Sequence, residues 1–318
     1  MLAATAPVVA FLASVLAMAA AGSTAATTVP VLVGTTGTRA VMDVAGVACV
    51  GAGLIALLVP TVAPGRSHRA DRAAAVVGRR LDMVLVLAAG CWVVAVVLAI
   101  VLRTANAFAR SPMTITTDEL VAWATKLDAG RGMVLTLACA AVVLGCAVAR
   151  WRDPALVQAR IPLVAALLGV LTPVVTGHAS SAHDHQIAVV SAAAHAGAAA
   201  LWVGGLFGLV ALVAPHRQLL DAALPPFSTV AGICLAAVAV SGGVNAFVRI
   251  ESWAALVTTG YGLLVLAKVV AIAGLGLLGG LTRARLRAGR LPVLRWAGYE
   301  TALMVVTIGL AAALTQTG

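Results

Sequence analysis

The stretch IAVVSAAAHAGAAALWVGGLFGLVALVA, Ile187 to Ala214, carries no lysine, arginine, aspartate or glutamate, and one histidine, His195. An α-helix needs ~20 apolar residues to cross ~30 Å of hydrocarbon, so this run reads as a membrane span. Holding an ionisable ring about two turns inside such a span is costly, and it is therefore read first as a functional group. One heptad after His195 comes Trp202-Val203-Gly204-Gly205.

The rest of the chain repeats the pattern. Apolar segments at about Ala6 to Ala21, Val41 to Val59, Leu81 to Leu102, Gly132 to Ala149, Ile161 to Gly177, Phe227 to Val248, Tyr261 to Gly280 and Tyr299 to Thr315 bring the expected spans to nine. Of all residues 62% are hydrophobic and 10% charged, and the mean hydropathy is +1.07. These values exclude a soluble domain, and barrel strands would instead show ~10-residue alternation. The expected fold is an all-α integral membrane protein, a polytopic transmembrane helix bundle forming one membrane domain over residues 1–318. Met1 to Ala21 ends in small residues suited to signal cleavage but lacks a basic leader; cleavage would leave eight spans.

Arginines set the expected orientation, because basic residues in short loops stay on the cytoplasmic side. Arg66, Arg69, Arg72, Arg79, Arg80, Arg150, Arg152, Arg160, Arg217, Arg283, Arg285, Arg287, Arg290 and Arg295 fall on one side, fourteen in all. The other side holds six: Arg39, Arg103, Arg110, Lys126, Arg131 and Arg249. The amino terminus is expected inside the cell membrane, the carboxyl terminus outside. The net charge of +10 is thereby assigned to topology and anionic lipid, with no nucleic-acid partner.

No extramembrane segment is long enough for a separate domain. The longest, Thr104 to Gly130, contains Thr116-Thr117-Asp118-Glu119 before Leu120, Val121 and Trp123, which predicts a capping box and a short helix at the outer interface. Cys49, Cys91, Cys139, Cys146 and Cys234 all fall within expected spans and form no CxxC pair, so they read as small apolar fillers rather than a disulfide framework or a thiolate site.

Polar groups inside the spans gather toward the outer side. His195 is about 12 Å below Ile187 at 1.5 Å per residue, and Lys268 lies at about the same depth below Tyr261. Asp43 is about one turn inside the outer end of its span, and Ser241 and Asn245 occupy the outer half of theirs. Exposing such groups to lipid costs several kcal/mol each, so a polar pocket opening outward is expected. Ser191, His195 and Trp202 share one helix face at spacings of four and seven. Above them the loop GHASSAHDHQ, Gly177 to Gln186, supplies His178, His183 and His185 beside Asp184. Neutral imidazole binds Cu, Zn or Ni, which makes the loop and His195 candidate metal ligands. The competing readings are a solvated hairpin for the loop and a hydrogen-bonded buried histidine for His195. Lys268 reads equally as an amine snorkelling to Asp43.

Several landmarks resemble the bacterial copper resistance protein D (CopD) family: His195 through HAGAAALWVGGL to Leu206, Phe227-Ser228, Ser241-Gly242-Gly243-Val244-Asn245-Ala246, and Thr259-Gly260-Tyr261-Gly262-Leu263-Leu264 leading to Lys268. They cover about residues 187–283. Where the family ends its lysine-bearing helix in Asn-Arg, this chain has Thr282-Arg283. The resemblance implies copper handling at the cytoplasmic membrane, with copper ion as ligand and an extracytoplasmic CopC-like copper-binding protein as partner.

The resulting expectation is a copper permease working in the direction of uptake, contributing to copper homeostasis or resistance. His178, His183 and His185 accept the ion and His195 holds it. Ser191, Asn245 and Tyr261 orient or hydrate it, with Trp202, Lys268 and Asp43 around the pocket. A protonated Lys268 ~6 Å from a unit positive charge would repel it by roughly 3 kcal/mol at an effective dielectric of about 20, so that amine must be neutral, paired or turned away. The alternative is a scaffold that delivers copper for oxidase assembly without transport. A haem protein needs two axial ligands at matching depth, and only His195 is well inside a span. No enzyme is expected, since no carboxylate pair, nucleophile with a base or catalytic zinc signature occurs.

Overall fold

A computed structural model describes residues 29–59, 68–176 and 185–249, with scattered helical positions between 266 and 281. Among these residues every regular element is helical: α1 (Val29–Leu58), α2 (His68–Ala107), a 3-10 turn at Pro112–Thr114, α3 (Thr117–Lys126), α4 (Asp128–Arg152), α5 (Arg160–Val175), α6 (His185–Gly208) running into a π turn at Leu209–Val213, and α7 (Arg217–Arg249). Among the described residues five helices are long and apolar enough to cross a membrane, and α5 is a shorter apolar helix. The chain is thus a multi-pass helical membrane protein. The expected first, eighth and ninth spans lie outside the described residues, so the count of nine is not established.

Six expected spans correspond in order to α1, α2, α4, α5, α6 and α7, but three helices begin about ten residues or more early. Hydropathy marks only the turns that meet hydrocarbon, whereas helices continue beyond it wherever an amphipathic stripe can be buried. In α7 the added turns bury Leu219, Leu220, Ala223 and Leu224 and expose Arg217, Gln218 and Asp221. Pro225 and Pro226 then interrupt the ladder, which removes the helical donors to the carbonyls of Asp221 and Ala222.

The chain divides into a unit of Val41–Val238 and another of Met1–Ala40 with Ala239–Gly318. Within the first, α4 packs on α2 and α5, and α5 also packs on α6. Trp92 of α2, 1% exposed, fills the centre. A Cβ on Gly46 of α1 would come 3.2 Å from its Cζ2, and one on Gly169 of α5 would come 2.7 Å from its Cη2 and 2.9 Å from the Cβ of Cys139. Cys139 therefore occupies space beside the indole, the role expected of a small apolar filler.

Two small residues set the α1–α6 crossing. A Cβ on Gly51 would collide with the Gly204 carbonyl, and one on Gly204 with the Val47 carbonyl, so the two backbones touch. Small residues permit this approach, and dispersion between the surfaces replaces the hydrophobic force that lipid does not supply. The adjacent Gly205 admits the Phe227 ring of α7, whose Cε2 lies 2.7 Å from where a Cβ would be, and Leu54 of α1 at 2.8 Å. The Trp-Val-Gly-Gly run is thus a packing motif joining three helices.

At one end of this unit, Arg150 Nε donates to Asp82 Oδ1 at 2.8 Å and Arg150 Nη1 donates to the Val157 carbonyl at 2.7 Å. Asp82 is buried on α2, so this ion pair fastens that helix to the end of α4. Toward the opposite end, α2 stops at Ala107 and the chain turns at Ala109, whose φ of 50° is left-handed, with the Arg110 N–H donating to the Ala105 carbonyl.

The expected capping box is present on α3. Thr116 N–H donates to Glu119 Oε2 at 2.9 Å and Glu119 N–H donates to Thr116 Oγ1 at 3.3 Å. Arg110 Nε lies 2.8 Å from Glu119 Oε1, and Trp123 is buried. The Thr116 N–H, with Arg110 in support, holds the Glu119 carboxyl below the ordinary carboxylate range. A depressed folded pKa gives stability that is complete above the unfolded value of about 4.3 and is lost as pH falls through the folded value. Amide protection of Leu120 to Lys126, corrected for intrinsic exchange, should hold from neutral pH to about 4.3 and drop below it. In Glu119→Gln the protection should carry no such step; a wild-type profile equally flat in acid would refute the linkage.

Candidate functional site

The fold positions α6 by the glycine crossing just described, and that crossing decides where His195 faces. Gly204 meets α1; nine residues earlier, at 3.6 residues per turn, His195 is about half a turn around the axis from it. His195 therefore heads a stripe of Ser191, Trp202, Leu206, Leu209 and Val213. Those five are buried, at 8%, 5%, 6%, 2% and 0% exposure, and His195 itself is half-buried. Of the exposed residues of α6 near the same level, Val190 and Ala194 lie on another face, and Ile187 precedes Ser191 by one turn near the helix start. The face shared by Ser191, His195 and Trp202 is thus buried at Ser191 and Trp202 and half-buried at His195.

Other expected participants are distributed differently. Asp43 is exposed on α1. His185 is the first residue of α6, about 15 Å along the axis from His195. Two imidazoles so separated cannot ligate one ion. Asn245 lies on α7, but its side chain is outside the described residues, as are His178, His183, Tyr261 and Lys268. Ser241 of α7 is 5% exposed. Among the described residues no three His, Cys, Asp or Glu side chains form a metal-holding group. A small cavity of about 40 Å3 lies against the glycine face of α6, lined by Ala48, Ala52, Val84, Gly204 and Gly208 among others. It offers an ion no polar side chain.

The turn after α6 contains a histidine that the sequence reading passed over. His216 N–H donates to the Val213 carbonyl at 2.8 Å, and its own carbonyl accepts from Leu219 and Leu220 at 3.0 Å, capping α7. Its Nε2 is buried without a hydrogen-bond partner, as is Asp71 Oδ1 at the start of α2. Unsatisfied buried polar atoms are uncommon and mark positions that call for an explanation. The available signal was Pro215-His216-Arg217, in which only the arginine was weighed, as a topology marker.

Residues 221–314 match copper resistance protein D, CopD. The CopD stretch takes in Phe227-Ser228, Ser241 through Ala246, Thr259 through Leu264 and Lys268. It begins after the His195 to Leu206 landmark, so the resemblance lies further toward the carboxyl terminus than the expected 187–283. The α6 landmark consists largely of small packing residues, which many close helix crossings share. Neither the curated proteins nor the solved structures contain a match to the chain. A membrane protein with a CopD domain is implied to handle copper.

Proposed function

We propose that this protein carries copper across the cytoplasmic membrane, in the direction of uptake, and so contributes to copper homeostasis or resistance. The observation that carries this reading is His195, an imidazole on the interior stripe of a membrane helix that leads directly into a CopD domain. Copper is the cargo. His178, His183 and His185 receive it at the outer mouth, in series with His195 rather than in one shell with it, as the ~15 Å helical rise from His185 requires. Ser191, Asn245 and Tyr261 hydrate or orient the ion. The arginine-bearing helix ends face the cytoplasm, as positive loops do, and a CopC-like protein delivers copper from outside.

His216 extends the path. It lies 21 positions beyond His195, roughly 30 Å along α6 and its π turn, in the turn that follows the span. An imidazole two turns inside a span and another just past its far end suit a cargo that is passed between weak sites, since a single tight site would retain it.

Proteoliposomes containing the purified chain and exposed to radioactive copper test transport itself. The lumen should accumulate copper well above protein-free vesicles, and a copper ionophore should release it. Copper that binds the protein in stoichiometric amount, with none accumulating in the lumen, would instead establish the delivery scaffold.

A further inference from the structure

The end of the helical unit fastened by Asp82 and Arg150 carries more guanidinium than its carboxylates neutralise. Arg150 is committed to Asp82 and to the Val157 carbonyl. Arg79, Arg80, Arg152 and Arg160 are exposed, and among the described residues none of them has an ion-pair partner. Asp153, beside them in sequence, accepts the Ala155 N–H at 2.9 Å. The Arg79 guanidinium sits 5.7 Å from the centroid of the Trp151 ring, within cation–π range, and Trp151 is 44% exposed. Asp82 and Arg150 hold their helices together, and beside that pair Arg79 of α2 reaches Trp151 of α4.

Arg80 also begins an apolar stripe. Val76, Met83, Leu87, Val94 and Leu98 of α2 are all exposed, at 42% or more, and spacings of three, four, seven and eleven put them on the same face as Arg80. This surface pairs uncompensated cations and an indole at one end with a long apolar track leading away. A free phosphate would use only the cations; a zwitterionic lipid would leave their charge unmatched; a nucleic acid would have no use for the track.

We propose that Arg79 and Arg80, with Trp151 beside Arg79, seat the headgroup of an anionic phospholipid whose acyl chain lies along the exposed α2 stripe. Arginines meet the phosphodiester by charge-assisted hydrogen bonds, and the indole occupies the glycerol level, where tryptophan is enriched.

Native mass spectrometry of the full chain, purified in neutral detergent and titrated with phosphatidylglycerol or phosphatidylcholine, tests the seat. Phosphatidylglycerol should be retained in preference, and millimolar inorganic phosphate should fail to displace it. The double variant Arg79→Gln, Arg80→Gln should weaken its retention roughly tenfold or more, with phosphatidylcholine unaffected. Equal retention of the two lipids by the wild type, or displacement by phosphate, would overturn the proposal. A second measurement needs no arginine variant: phosphatidylglycerol with brominated chains should quench a fluorescence component that is missing in Trp151→Phe, and brominated phosphatidylcholine should quench it far less. Equal quenching by both lipids would also overturn it.

Discussion

Cells expressing His195→Ala lose copper-dependent accumulation, falling to the level of cells without the protein, while the variant inserts in the membrane at wild-type abundance. Ala has the highest helix propensity, so α6 is not weakened by the exchange. His195 is half-buried rather than packed tight, which keeps the cavity penalty small. The loss is chemical. Along the stripe that His195 heads, the remaining residues are Ser191, Trp202 and aliphatic side chains, and none of them replaces a neutral imidazole as a copper ligand. His195→Gln, which keeps polarity and approximate size, should be as inactive as the alanine. Copper accumulation at the wild-type level in either variant would remove His195 from the path.

Arg150→Met destabilises the bundle by about 3–5 kcal/mol, because it leaves the Asp82 carboxylate buried without its cation. Asp82 is 3% exposed and α2 cannot turn it to solvent without losing packing around Val77, Leu81 and Leu85, all of them buried. Arg150 also satisfies the Val157 carbonyl, which the variant abandons. The pair itself is worth much less than the cost of breaking it, since desolvation of both ions offsets most of their attraction. The double variant Asp82→Leu, Arg150→Met should therefore recover most of the loss. Thermal unfolding in detergent measures both: a large fall in Tm for the single variant and a partial return for the double. A single variant that unfolds at the wild-type temperature would show that the pair fastens nothing.

Much of the fold was legible because the bilayer leaves so few solutions. An apolar run that must satisfy its own backbone becomes a helix, and the runs from Val41 to Val248 each appear as one, in order. Thr116 and Glu119 foretold their capping box, because that motif depends only on residues three apart. The start of α7 was misplaced for a physical reason: its turns from Arg217 are amphipathic, and they are helical through burial of one face rather than through hydropathy. Asp82 was visible as a charge at the inner boundary, but its partner Arg150 is 68 positions away and was weighed only as a topology marker. Local pattern carries no record of such a pairing. The face of Ser191, His195 and Trp202 followed from helical periodicity alone.

The most direct measurement is X-ray absorption at the copper edge on purified protein loaded with about one equivalent of copper, comparing wild type with His195→Ala. The account predicts imidazole scattering in the wild type that diminishes in the variant as one nitrogen ligand is lost. Superimposable spectra, or a wild-type spectrum without imidazole features, would contradict it.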